Sequence, residues 1–187
     1  SPSTSLTVNG SFTVNRNLSI STGTLILGDY GISVKGNLIN NGAYSDNNIG
    51  GSGIVLDGTT LQQISGTGTF NRLELDNLSG AKTLNQISLT NDLVLTRGVL
   101  DISSYAILLN QSSSIIPGNP FGSFNMIKTD GVASSPGVRK YFSTGAQSFT
   151  FPIGVSGKYT PAIFNLTQNT VAGYLNVVPV DGAHPGV

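Results

Sequence analysis

The chain has 187 residues, nine basic and nine acidic, with only 10% charged, 38% hydrophobic, no cysteine and no tryptophan. Zero net charge lacks the electrostatic footprint that nucleic acid or an anionic membrane surface demands, so neither is an expected partner. A disulfide framework is excluded, and no stretch approaches the roughly 18 apolar residues that would span a bilayer as a helix.

From the N-terminus, Leu6/Val8, Phe12/Val14, Leu18/Ile20, Leu25/Leu27 and Ile32/Val34 form alternating pairs, followed by Leu38. Period two within a pair predicts short strands with one buried face. If three strands make one turn, the coil takes about 19 to 22 residues, placing Leu6 beneath Leu25 and Phe12 beneath Ile32. Asn9-Gly10, Asn15, Gly28-Asp29 and Gly36-Asn37 supply turn residues that tolerate positive φ. A single coil cannot hide its own apolar face, so such a chain is stable only when coils stack.

Residues 40–53 (NNGAYSDNNIGGSG) interrupt this rhythm and read as a longer loop at one corner. Strands resume at Ile54/Leu56 and continue through Ile64, Phe70, Leu73/Leu75 and Ile87/Leu89. Residues 93–109 (LVLTRGVLDISSYAILL) then repeat residues 18–34 (LSISTGTLILGDYGISV) without a gap, at an offset of 75. Leu18/Leu93, Gly23/Gly98, Leu25/Leu100, Tyr30/Tyr105 and Ile32/Ile107 are identical, while the positions between them drift. After about Ser112 the rhythm is lost, and Pro117, Pro120 and Pro136 read as breaks in the ladder. Strands over residues 123–128, 137–142, 147–153, 161–167 and 171–180 read as antiparallel, with YFSTGAQSFTF as a hairpin. The expected fold is all-β: a right-handed parallel β-helix of three sheets over residues 1–115, its hand taken from the chirality of parallel crossovers. An antiparallel β-sandwich-like cap, which the chain can leave incomplete, follows over 116–187.

Candidate chemistry is sparse. Arg72, Glu74 and Asp76 alternate with Leu73 and Leu75 and so share an outward face, but no acids mark the neighbouring coils, and a solvated charge row is the expectation. Glu74 is the only glutamate, which leaves a glycosidase carboxylate pair without an evident second member. His184 is the only histidine and makes a poor nucleus for a triad or a metal cluster. Asp46, Asn47 and Asn48 offer a single carboxylate, too little for calcium. The threonines of Thr22-Gly23-Thr24 and Thr67-Gly68-Thr69 hint at an ice-binding ladder, which Arg97-Gly98-Val99 breaks. Tyr30 and Tyr105 recur at one point of the repeat, as sugar-stacking aromatics or, by expectation, as rings packed on a neighbouring coil. No catalytic residue, metal or cofactor is expected.

The segments GNLINNGAYSDNNIGGSGIVLDGTTLQQISGTGTFNRLELDN, LTNDLVLTRGVLDISSYAILLNQSSSI and FTFPIGVSGKYTPAIFNLT resemble a pattern in large secreted surface proteins of the Bacteroidota. There a right-handed parallel β-helix region precedes a β-sandwich-like unit, and the most specific match is Phe151-Pro152-Ile153-Gly154 with Tyr159-Thr160-Pro161. Thr160 departs from the Arg often found before that proline. The resemblance implies a non-enzymatic adhesin-like or structural exoprotein at the cell surface, commonly exported by type IX secretion. The reading is a stiff stalk or display segment. Its expected partners are surface glycans or other protein chains, including copies of itself through open coil ends. The alternative is a carbohydrate-binding or carbohydrate-cleaving β-helix.

Overall fold

A computed structural model describes residues 4–182. The chain winds as an all-β solenoid in which successive strands visit three parallel sheets, A, B and C, in turn. The first coil comprises β1 (Ser5–Thr7), β2 (Phe12–Val14) and β3 (Leu18–Ile20); the second β4 (Thr24–Gly28), β5 (Gly31–Val34) and β6 (Leu38–Asn40). The third comprises β7 (Ala43–Asp46), β8 (Gly53–Leu56) and β9 (Gln62–Ser65); the fourth β10 (Thr69–Phe70), β11 (Leu73–Asp76) and β12 (Ala81–Thr83). Next come β13 (Ile87–Leu89), β14 (Leu93–Arg97) and β15 (Leu100–Ser103), then β16 (Ile107–Leu109), β17 (Ile115–Pro117) and β18 (Ile127–Thr129). The last winding holds β19 (Val138–Phe142), β20 (Gln147–Phe151) and β21 (Ile153–Val155), followed by β22 (Lys158–Tyr159), β23 (Ala162–Leu166) and β24 (Gly173–Val177).

The core is a set of vertical rows set by register. On sheet B, Phe12, Ile32, Ile54, Leu73, Leu93 and Ile115 lie one above another, beside Val14, Val34, Leu56, Leu75, Leu95 and Pro117. Leu6 pairs with Leu25 and Phe12 with Ile32, as the spacing predicts. Ile32, Val34, Ile54, Leu56, Leu93 and Leu95 are fully buried. Each such side chain contributes about 1.5–3 kcal/mol, so the rod is held together along its axis by stacking. Tyr44 and Phe70 add an edge-to-face pair at 6.3 Å on sheet A.

The repeat at offset 75 takes on a new meaning. Leu18 stands in β3 on sheet C, whereas its counterpart Leu93 stands in β14 on sheet B. The two copies are each one full winding, but they start on different faces. What repeats is therefore a strand-and-corner unit. Gly23 and Gly98 show what that unit requires: both have positive φ, and a Cβ would fall on the carbonyl oxygen of Thr4 or Asn77 on the coil below.

Three expectations need correction. The interruption over 40–53 is shorter than its composition suggests: Asn40 closes β6, Ala43–Asp46 is a regular strand with Tyr44 buried, and only residues 47–52 loop out. The parallel ladder also does not stop near Ser112. β17, β18, β19 and β21 each lie parallel on the coil below, so the solenoid runs past residue 115 to Val155. Pro117 is accommodated because β17 is the last strand of sheet B, and the acceptor Leu95 O is taken by the Gly118 N–H. Finally, the aromatic strands around Gly145 do not pair as a hairpin. β19 already has β16 on one side and antiparallel β24 on the other, so β20 pairs antiparallel with β23 instead. With β21–β22, these are the small antiparallel pairings among the described strands.

Candidate functional site

Arg72, Glu74 and Asp76 do not form an open charged row. Leu73 and Leu75 point into the core as expected, but Arg72 lies at the corner before β11 and is only 7% exposed. The loop at 47–52 covers it: Arg72 Nη1 donates to Ser52 O at 2.8 Å and Nη2 to Glu74 Oε2 at 3.0 Å. The other Glu74 oxygen accepts from Thr96 Oγ1 at 2.7 Å. In register, Glu74 is flanked by Val55 and Val94, so no second acid converges on it. Asp76 is held by Arg97 on the next coil through Nε and, at 3.0 Å, through Nη2. The hydrogen bond to Asp76 raises the Arg97 pKa further above its ordinary value.

This corner is a brace between coils. Asp46 Oδ2 accepts from the Arg72 N–H at 3.1 Å, and its Oδ1 accepts from the Asn48 N–H at 2.8 Å. Asn48 Nδ2 donates to Asp92 Oδ2 at 2.9 Å, two coils on, and Asp92 Oδ1 accepts from the Ser114 N–H at 3.0 Å. Beneath the brace, the Tyr44 hydroxyl donates to Arg72 O at 2.9 Å. Burial first, and the nearby Asp46 charge second, push its pKa well above the ordinary phenol value. The Asp46 oxygens are thus committed, one to the loop and one to the Arg72 N–H, and among the described residues no group of three or more metal-ligating side chains is found.

Tyr30 and Tyr105 share a local turn, their N–H groups bonding to Leu27 O and Ile102 O. They are 40% and 39% exposed, but Tyr30 stands between sheets A and B and Tyr105 between sheets C and A. The shared signal marks a turn that recurs on different edges, and the two rings form no common platform. Thr24 and Thr69 both neighbour Ala43 on sheet A, so the threonine row is broken there. His184 lies outside the described residues.

Sequence reasoning missed several buried polar groups. Gln62 faces inward at the head of the row that continues with Ala81, Leu100, Ile127 and Ile153. Its amide donates to Val34 O at 2.8 Å and accepts from the Gly58 N–H at 2.9 Å and from Asn77 Nδ2 at 3.0 Å. The alternation Gln62/Ile64 carried that information. Lys140, in register with Leu109 and Leu175, also points inward and is 4% exposed. Its ammonium donates to Asn110 O at 2.5 Å and Gln111 O at 2.8 Å and lies 5.3 Å from the Phe149 ring centroid. Desolvation lowers its pKa to about 8, and the Asp92 charge opposes that fall.

Two of the surface concavities differ sharply in their linings. One, of about 330 Å³, lies beside the first coil and is lined by Leu6, Phe12, Leu18, Leu25 and Ile32 among others. A second, of about 360 Å³, lies on sheet C among Lys82, Asp101, Lys128, Asp130 and Asp181. There Lys128 pairs with Asp101 at 2.7 Å. Burial alone would raise the Asp101 carboxyl, yet hydrogen bonds from Lys128 and Ser103 hold it below its ordinary value. A scan against family models finds no match for the chain, and searches of curated proteins and of solved structures find none either.

Proposed function

We propose that this chain is a non-enzymatic structural module, a stiff stalk or display segment of an extracellular, cell-surface protein of the kind its sequence pattern resembles. The supporting observation is the continuous three-sheet ladder, whose inward rows on sheet B run from Phe12 to Ile115 without a polar residue. Seven levels at strand spacing make a rod about 30 Å long, in which neighbouring levels are joined by backbone hydrogen bonds and stacked aliphatics. The proposed winding is right-handed, following the preference of parallel crossovers. In this reading the antiparallel strands β22–β24 close the C-terminal end of the rod as a cap, covering the edges of sheets A and C. The outer surface, poor in charge, suits a segment that spaces other domains without drawing nonspecific partners.

Sedimentation of the purified chain at several concentrations tests this reading. A concentration-independent mass near 19.4 kDa is expected for a single stalk segment. Mass that climbs with concentration would move the function to end-to-end assembly. Release of reducing ends or unsaturated sugars from a polysaccharide panel would overturn the non-enzymatic reading.

A further inference from the structure

The outward face of sheet A ends in a cluster unlike the rest of the surface. On β19, Arg139 and Tyr141 point out between buried Val138, Lys140 and Phe142; on β24, Tyr174 and Asn176 are exposed. Register sets Arg139 opposite Asn176 and Tyr141 opposite Tyr174, with Leu108 beside Arg139 on the coil below. The Arg139 guanidinium lies over the Tyr174 ring, its Cζ 4.4 Å from the centroid. The Tyr141 and Tyr174 rings meet edge to face at 5.0 Å.

Arg139 differs from most other cations of the chain. Lys35, Arg72, Arg97, Lys128 and Lys158 each pair with a carboxylate, whereas Arg139 makes neither an ion pair nor a side-chain hydrogen bond among the described residues. Stacking has already restricted its conformations, and the in-plane N–H donors remain unused. A guanidinium held this way suits a planar, bidentate anion such as a carboxylate. Beside it are an amide, two phenols and the apolar edge of Leu108, all on the outward face of one sheet. A chain of sugar rings, each bearing hydroxyls, an apolar C–H face and a carboxylate, matches all of these groups.

We propose that Arg139, Tyr141, Tyr174 and Asn176 form a binding site for an acidic polysaccharide of the uronic-acid class. Arg139 takes the ring carboxylate, Tyr141 and Leu108 meet the C–H face, and Asn176 with the phenols takes the hydroxyls. The site goes beyond the stalk reading and does not depend on it.

The test is affinity electrophoresis of the full chain in gels containing polygalacturonate, neutral maltodextrin or polyglutamate. Polygalacturonate is expected to retard the chain, with retardation weakened by added salt. Arg139→Gln and Tyr174→Ala should each weaken it by about tenfold, and Arg139→Lys by less, since lysine supplies charge without the fork. Arg16→Gln, an exposed arginine on the first coil, should leave it unchanged. Circular dichroism identifies variants that stay folded, and Asn176→Ser, which leaves the Arg139–Tyr174 stack in place, provides a milder second probe. Absence of retardation of the native chain, equal retardation by maltodextrin or polyglutamate, or equal loss in Arg16→Gln would overturn the proposal.

Discussion

Lys140 offers a measurement in which the structure fixes both sign and window. Its ammonium is packed inward on the last winding, between Leu109 and Leu175 in register, and its pKa is lowered from 10.5 to about 8, chiefly by desolvation. Between those values the unfolded chain holds a proton that the native chain has released, so stability rises with pH from about 8 and the gain is complete above 10.5. Full linkage for that displacement corresponds to about 3 kcal/mol, which sets the upper bound, and a gain of about 1–2 kcal/mol is expected. Tyr44 sets the upper limit of the readable range. Its raised pKa means the native state keeps a proton that the unfolded state loses near 10, so above that pH it lowers stability. Urea unfolding of the native chain and of Lys140→Met, at steps from pH 7 to 10, isolates the term. Methionine leaves Asn110 O and Gln111 O without that donor but also removes the cost of burying an ammonium, and because the two oppose each other the proteins should differ little at neutral pH. The native chain should then gain on the variant through pH 8 to 10. A stability difference that stays flat with pH would refute the buried, proton-releasing lysine.

Two further substitutions probe the corners. Arg72→Met removes the donor to Ser52 O and leaves Glu74 with Thr96 alone; a loss of about 3 kcal/mol and faster proteolytic cleavage within residues 47–52 are expected, read by urea unfolding and limited proteolysis. Gly98→Ala forces a side chain into a positive-φ corner against Asn77 O, and should cost about 3 kcal/mol in the same unfolding assay, whereas Gly10→Ala, half-buried but with nothing near its Cβ, should change stability by under about 1 kcal/mol.

The first five coils, the third apart with its loop over 47–52, were legible because their corners are short: Leu6 over Leu25 and Phe12 over Ile32 follow from spacing alone. Past Ser112 the strands remain as short as before, but the connections 118–126 and 130–137 stretch the winding until periodicity no longer registers. Local signals then mislead. The Gly145 turn looks like a hairpin, yet both edges of β19 are occupied by strands distant in sequence, β16 and β24. The polar corner shows the same limit from the other side. Alternation placed Leu73 and Leu75 inside, but it could not show that residues 47–52 fold back over Arg72, because that contact joins segments twenty residues apart. For Lys140 the alternation Val138, Lys140, Phe142 did carry the inward placement, but the carbonyls of Asn110 and Gln111 that receive its ammonium lie about thirty residues away in sequence.

The displacement of the Leu18 and Leu93 copies onto different sheets has a consequence for any lengthening or shortening of the rod. Since the unit is one strand with its corner, a gain or loss of one unit preserves inside and outside while rotating everything downstream by a third of a revolution. The Arg139 face would then look out from another side of the prism, whereas a change of three units would move it along the axis and leave its heading alone. Indel length modulo three thus sets the angular phase of whatever the far end displays.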